Sequence, residues 1–231
     1  MYSFTMLRDR VEVTDNSLSD TSPLKKFSIS YKNLSEVFDR LSEDFGGRTA
    51  ERSLLLPEGC LSLSIEKDRI ILYQVFVDRR VRISHQDHVN PLQSYTVPFP
   101  RTYIKSQFSK HNSKFKFSKM WVLMSQDLRG SMLTRMPFPN IYNDAHEVCM
   151  GSVGRNVEVS PTDLREANRV FSLYAESTFN NDLWSRLLLK DPATQTSLEF
   201  TEPRAWFEYL SRQEQFPYSL FNFSIKGWHI K

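Results

Sequence analysis

Cysteine is scarce in this chain. Its 231 residues hold two, Cys60 and Cys149, too far apart in sequence to read as a disulfide framework or a metal-ligand pair. A reducing compartment is the simpler expectation. Long hydrophobic runs are missing as well, since no stretch approaches the roughly 18 apolar residues of a membrane span, and the start, Met1 to Arg8, lacks the basic-then-apolar build of a signal peptide. Both absences predict a cytoplasmic protein with no membrane partner. Charge of one sign is also in short supply. A formal net charge of +3 with a pI near 8.8 is too mild to point by itself to nucleic acid or a lipid surface. No internal repeat or low-complexity tract suggests a solenoid or a tail.

What is present describes an ordinary globular chain. Its 40% hydrophobic content, with 17 phenylalanines, argues for an ordered interior over most of its length. The length fits one large domain or a compact core with additions. Leu34, Val37, Phe38, Leu41 and Phe45 recur at helical spacing, Asn33 and Glu36 resemble a capping box, and Gly46-Gly47 supplies the stop. A helix is expected over 34–45. Leu54 to Leu56 and Leu61 to Ile65 read as short strands, Arg69 to Val77 as a longer one, and Arg79 to Ser84 as its hairpin partner. Ser94 to Val97 and Lys114 to Met124 add further strands. Beyond residue 150, Ser160-Pro161-Thr162-Asp163 has the hydroxyl cap, first-turn proline and carboxylate of a helix start. Leu164, Ala167, Val170, Phe171, Tyr174 and Ala175 would form its buried stripe, and Thr201-Glu202-Pro203 opens a second helix carrying Trp206, Phe207 and Leu210. The fold class is therefore α+β, with strands early and helices late.

The segment from Pro137 to Ser152 carries the chemistry. Asn140 precedes Cys149 by nine positions, which one irregular loop can span. A sulfur nucleophile and a carboxamide donor are the minimum parts for thioester chemistry, because the donor can hold the charge that builds on the acyl oxygen. The bland alternative is a packed cysteine and an asparagine that bonds its own turn.

Pro139-Asn140-Ile141-Tyr142, a short polar loop, and then Val148-Cys149-Met150 resemble the active-site strip of ubiquitin-conjugating enzymes, where a His-Pro-Asn triplet precedes the catalytic cysteine by a similar interval. The order of landmarks is similar to that of the prokaryotic ubiquitin-conjugating-enzyme-like family D, protein B of PRTRC plasmid systems. Those landmarks are Leu55-Leu56-Pro57-Glu58, the Pro-Phe-Pro-Asn-Ile-Tyr strip from Pro137, Val148-Cys149-Met150-Gly151-Ser152, and Ser177-Thr178-Phe179-Asn180. The resemblance spans about Phe27 to Leu188. Phe138 stands where the conjugating enzymes carry histidine, and the loop from Asn140 to Cys149 is about one residue longer than theirs.

The resemblance implies a ubiquitin-conjugating-like (UBC/RWD-type) fold, an antiparallel meander flanked by helices. It divides the chain into an N-terminal extension with one helix (1–52) and a core with C-terminal helices (53–231). It also implies that Cys149 accepts a ubiquitin-like protein as a thioester and passes it to an amine, with Asn140 as oxyanion donor. Tyr142, Asp144, His146 and Glu147 are candidates for the acceptor-side loop, and Gly151 lets the backbone turn tightly after the sulfur. The implied partners are a ubiquitin-like protein, a ThiF-type activating enzyme and a JAB-type deconjugating peptidase in a bacterial, plasmid-encoded system. No cofactor and no metal is required.

Three rival constellations deserve a structural answer. His146 and Cys149 would suit a hydrolytic pair, although no third orienting group is identifiable. His85-Gln86-Asp87-His88 offers metal ligands, against the plainer reading of a hydrated hairpin end. Arg101, Lys105, Lys110, Lys114, Lys116 and Lys119, interleaved with Tyr103, Phe108, Phe115 and Phe117 and with no acidic residue between, would suit single-stranded nucleic acid. The plainer reading is phenylalanines facing inward from a strand with solvated lysines outside. A noncatalytic, nucleic-acid-associated binding module on the same scaffold is accordingly the alternative function.

Overall fold

A computed structural model describes residues 2–6, 10–15, 25–30, 55–126, 132–142, 145–151 and 153–226. The helix expected over 34–45 lies outside these residues. Fifteen strands are found among them, against two α-helices of eight and nine residues. The class is α+β, mostly antiparallel. None of the helices among the described residues is long and apolar enough to cross a membrane.

The chain forms two compact units, one of residues 1–74, 105–118 and 155–170, the other of residues 75–104, 119–154 and 171–231. In the first, strands β1 (Tyr2–Met6), β2 (Arg10–Asp15), β3 (Lys25–Ser30), β4 (Cys60–Ile65), β5 (Arg69–Phe76, to Gln74) and β8 (Thr102–His111, from Lys105) lie in the order β8-β5-β4-β1-β2-β3. The β4/β5 hairpin is set by period-two burial, with Leu63 opposite Leu72 and Ile70 inward, all at most 2% exposed. Gln74 takes the next inward position on β5. There its amide donates to the Glu58 carbonyl at 3.0 Å and to Asn168 Oδ1 at 2.8 Å, so a buried polar group is satisfied. The start of β9 (Lys114–Ser125) pairs with β11 (Glu158–Val159) through Lys116 and Phe115.

The second unit holds β6 (Arg79–His85), β7 (Gln93–Phe99), the rest of β9, β10 (Met132–Arg135), β12 (Thr178–Phe179), the hairpin of β13 (Leu187–Lys190) and β14 (Ser197–Phe200), and β15 (Ile225–Lys226). The expected β5/β6 hairpin does not form. Instead β6 pairs antiparallel with β7 from Arg79 opposite Phe99 to His85 opposite Gln93, and parallel with β12. Only Val77-Asp78 separates β5 from β6, and a two-residue hairpin loop needs glycine or asparagine at positive φ, which this pair does not supply. Asp78 is used otherwise, accepting from the Arg101 guanidinium at 2.8 Å and from the Tyr218 hydroxyl in a short hydrogen bond.

Among the described residues strands cluster early, ten of the fifteen preceding Cys149, and both α-helices come late, although β11 to β15 follow the cysteine. One further expectation is corrected. The helix expected to begin at Ser160 starts later, with a 3-10 turn at Arg165–Ala167 and α1 at Asn168–Ala175. Ser160 Oγ does accept from the Asp163 amide at 2.9 Å, as a cap would. Leu55, however, pairs in parallel with this stretch, its amide donating to the Thr162 carbonyl at 2.9 Å and its carbonyl accepting from Leu164 at 2.8 Å. That extended pairing holds residues 162–164 out of the helix. The predicted stripe from Leu164 to Ala175 is nonetheless buried at every named position. Helix α2 (Pro203–Ser211) begins with proline in its first turn and buries Trp206, Phe207 and Leu210, as the periodicity requires.

An aromatic cluster forms the centre of the second unit. The Phe138 ring lies 4.6 Å from that of Phe99, 5.9 Å from Phe207 and 6.1 Å from Phe179, centroid to centroid. Such tilted packing is favourable beyond the area it buries. Phe138 is therefore a core side chain, and it anchors the strip that leads to Asn140.

Candidate functional site

The strip into the site is buried from Met136 to Pro139. Two of its four residues are prolines, which have no amide N–H, so little backbone donor capacity has to be satisfied there. Asn140 then adopts φ +61°, the left-handed region that asparagine tolerates better than most residues. The chain turns and folds back on itself.

The stretch expected to be an irregular loop is instead a small hairpin. Ile141 and Val148 form an antiparallel bridge, the Cys149 amide donates to the Asn140 carbonyl at 2.7 Å, and the Tyr142 amide donates to the Glu147 carbonyl at 2.8 Å. The returning arm is also held to β9, where Trp121 pairs with Glu147. The Val148 amide donates to the Met120 carbonyl at 2.8 Å, and the Val122 amide to the His146 carbonyl at 3.0 Å. Alternation does the rest. Ile141 and Val148 point inward, at 0% and 5% exposure, so Tyr142, Glu147 and Cys149 share the outer face.

Cys149 is exposed. Its neighbour in chemistry, Cys60, is not comparable, since burial pushes that thiol up to about 12 and removes it as a nucleophile near neutral pH. Tyr142, 47% exposed, shares this face with Cys149. The Cys149 side chain first, then a little burial and the Glu147 carboxylate, hold its phenol above the ordinary range. Asn140 is half-buried, and its Nδ2 donates to the Thr178 carbonyl at 3.5 Å, a long and weak contact that leaves its second N–H uncommitted by this bond. Gly151 has φ +53° and open space where a Cβ would stand, so the constraint after the sulfur is backbone conformation rather than crowding.

The other candidates are placed as follows. Glu147 is ion-paired to Lys119 at 3.2 Å. His146 sits at the hairpin's turn with φ +56°, its amide donating to the Tyr142 carbonyl at 3.0 Å. Asp144 lies outside the described residues. The structure thus brings Asn140, Tyr142, Glu147 and Cys149 together on one hairpin. Sequence reasoning did not find the Thr178 carbonyl as the partner of Asn140, or Lys119 as the partner of Glu147. The Ser-Thr-Phe-Asn landmark was visible, but nothing local to it signals contact with residue 140.

The rival constellations resolve in detail. His85 belongs to β6 and is 2% exposed, with Nε2 2.8 Å from Asn181 Oδ1, so it is a packed residue and not part of a hydrated loop end. The loop after it closes on itself, since Asp87 accepts from the amides of Val89 at 2.8 Å and Asn90 at 2.6 Å. The Asn90 side chain first, then those amides, pulls its carboxyl down to about 2. Among the described residues no group of three or more potential ligands is placed to hold a metal ion.

In the basic stretch, Tyr103, Phe108 and Phe115 are at most 8% exposed, so their rings offer no stacking faces, and Phe117 is half-buried with its ring set edge-on to Phe108. Lys114 and Lys116 both pair with Glu158, at 3.3 and 3.2 Å, and Arg101 pairs with Asp78. Inward-facing aromatics are what the plainer reading required. Comparison of the chain with protein-family models, curated proteins and solved structures finds no match.

Proposed function

We propose that this protein is a ubiquitin-conjugating-like carrier, which takes a ubiquitin-like protein as a thioester on Cys149 and transfers it to an amine. One observation carries the reading: an exposed thiol whose own amide is bonded to the carbonyl of Asn140, so that sulfur and carboxamide leave one short hairpin side by side. The fold this implies is of the UBC/RWD type. Its expected partners are a ThiF-type activating enzyme, a ubiquitin-like protein and a JAB-type deconjugating peptidase, in the cytoplasm of a bacterium with a plasmid-encoded conjugation system.

The chemistry asks little of the site on loading. The Cys149 sulfur attacks the thioester carbon on the activating enzyme, and one thiolate replaces another. Discharge asks more, because an amine must attack and the tetrahedral oxyanion must be held until the C–S bond breaks. Asn140 is the donor for that oxygen, using the N–H not given to Thr178. A single such donor contributes on the order of 100-fold or more in rate. The hairpin's anchorage on β9 and on the Phe138 cluster keeps the donor and the sulfur at one separation through both steps.

The test is direct. The protein is incubated with a ThiF-type activating enzyme, a ubiquitin-like protein and ATP, and an adduct is sought that thiol reductants cleave. Cys149→Ser should replace it by a slower, reductant-resistant ester or abolish it, and Cys60→Ser should leave it intact. An adduct that persists in Cys149→Ala would overturn Cys149 as the carrier, and no adduct with any activating enzyme together with tight partner binding would make the chain a noncatalytic module instead.

A further inference from the structure

A primary amine stands beside the Cys149 sulfur for a reason of register. Glu147 pairs antiparallel with Trp121 of β9, and the Val148 amide donates to the Met120 carbonyl at 2.8 Å. One step further along that register, Cys149 comes opposite Lys119. Opposed residues of an antiparallel pair carry their Cβ atoms about 5 Å apart on one face. Burial follows the same alternation, since Met120 and Val148 are inward at 0% and 5% exposure while Lys119 and Cys149 are both exposed. The amine is also held in place. Lys119 Nζ lies 3.2 Å from a carboxylate oxygen of Glu147, which shares the outer face two residues before the sulfur. Other lysines of the basic stretch are engaged elsewhere, Lys114 and Lys116 on Glu158 and the Lys105 ammonium over the Tyr73 ring at 5.7 Å.

We propose that Lys119 is an acceptor in cis for the acyl group carried on Cys149, so that the chain modifies its own amine by S-to-N transfer. The proposal rests on the carrier reading for the identity of that group, the C-terminus of a ubiquitin-like protein, and it names an amine that receives it. The Lys119 ammonium first gives one proton to solvent. Its nitrogen then attacks the thioester carbon and a C–N bond forms. The tetrahedral intermediate collapses, the C–S bond breaks with its electron pair going to sulfur, and the second proton of the nitrogen passes to that sulfur. The product is an amide on Lys119 and a free thiol on Cys149. Two groups held on one face react as if at a concentration far above that of any dissolved amine, so transfer in cis competes with an outside acceptor.

A small acyl donor, S-phenyl thioacetate, tests the transfer on the full chain without modifier or activating enzyme. Its acetyl group passes to the Cys149 sulfur as thiophenol leaves, and peptide mass spectrometry follows acetyl on sulfur and on each lysine. Lys110, exposed and outside the pairing with the hairpin, reports direct acetylation from solution. The ratio of acetyl on Lys119 to acetyl on Lys110 should fall at least about tenfold in Cys149→Ala, because the route through sulfur is closed. Equal ratios in the two proteins overturn the proposal, since Lys119 is then acetylated only from solution, as any exposed ion-paired lysine would be.

A second readout keeps the sulfur and removes the acceptor. Lys119→Arg retains a cation for Glu147 but offers no nucleophilic amine, so acetyl on Cys149, read as acetyl that hydroxylamine releases from that peptide, should persist about tenfold longer than in the wild type. An unchanged lifetime, or no acetyl on Cys149 at all, also overturns it. Failure here with an intact thioester assay removes the acceptor in cis and leaves the carrier. Acetyl transfer to Lys119 with no adduct from any activating enzyme removes the carrier and leaves the cysteine–lysine pair.

Discussion

Phe138 lies at the centre of the aromatic cluster, and replacing it by histidine, Phe138→His, tests how far that cluster excludes polarity. The ring is 2% exposed and is packed against Phe99, Phe207 and Phe179. Complete removal of a buried phenylalanine side chain costs about 3–5 kcal/mol. An imidazole restores about half of that volume, which leaves a deficit of roughly 2 kcal/mol, but it brings two ring nitrogens among hydrocarbon rings. Burying such a polar group without a partner costs a further ~1–3 kcal/mol.

The expected total is about 3–5 kcal/mol, or a drop in Tm of at least about 6 °C for a chain of this size. Differential scanning calorimetry at neutral pH reads it, with Phe138→Leu as the apolar control, expected to lose clearly less. Acid should widen the gap. Burial disfavours the charged imidazole, so its folded value lies below the unfolded one of about 6.5, and stability falls as pH drops through that unfolded value. A Tm for Phe138→His within about 1 °C of the wild type, at a scale of ~2–4 °C per kcal/mol, would refute the claim that this cluster excludes polarity. The strip from Pro137 to Asn140 would then owe its placement to something other than the phenylalanine.

Other expectations follow from single contacts. Gln74→Leu fits an inward strand position but strips partners from the Glu58 carbonyl and Asn168 Oδ1, so urea denaturation should show a loss of about 1–3 kcal/mol; no loss would mean those groups find other partners. Native Cys149→Ser protein should take up almost no iodoacetamide near neutral pH, because the remaining thiol, Cys60, is half-buried and pushed up to about 12. Its stability should decline as pH rises from 9.0 toward about 12, the window between the thiol's ordinary and folded values, and rapid labelling of native Cys60 would contradict its placement.

The local conformation around Cys149 was latent in the sequence. That the Asn140–Cys149 stretch is a hairpin and not an irregular loop is already latent in Ile141-Tyr142 and Glu147-Val148-Cys149, where apolar and polar residues alternate in step. Read as a loop, the same residues hide the fact that Tyr142 and Cys149 must share a face. The basic stretch shows the opposite case, since Phe108 and Phe115 read correctly as inward-facing from the strand period while Phe117 stays half-buried, whereas the acidic partners of its lysines, Glu158 and Glu147, lie 28 or more residues away.

By itself the sequence determined the elements whose cause is local. The strands from Arg69 and Lys114, the buried stripe from Leu164 to Ala175, and the helix at Pro203 all follow from periodicity and first-turn chemistry, because backbone geometry repeats within a few residues. Tertiary structure alone decided pairings at long separation: β6 with β7 and β12 in place of β5, Leu55 drawing residues 162–164 out of the helix, Thr178 under the Asn140 carboxamide. Backbone donors and acceptors are alike in every residue, so nothing in a strand's own side chains names its partner. The partner is chosen by which arrangement buries the apolar faces together and leaves no polar group stranded.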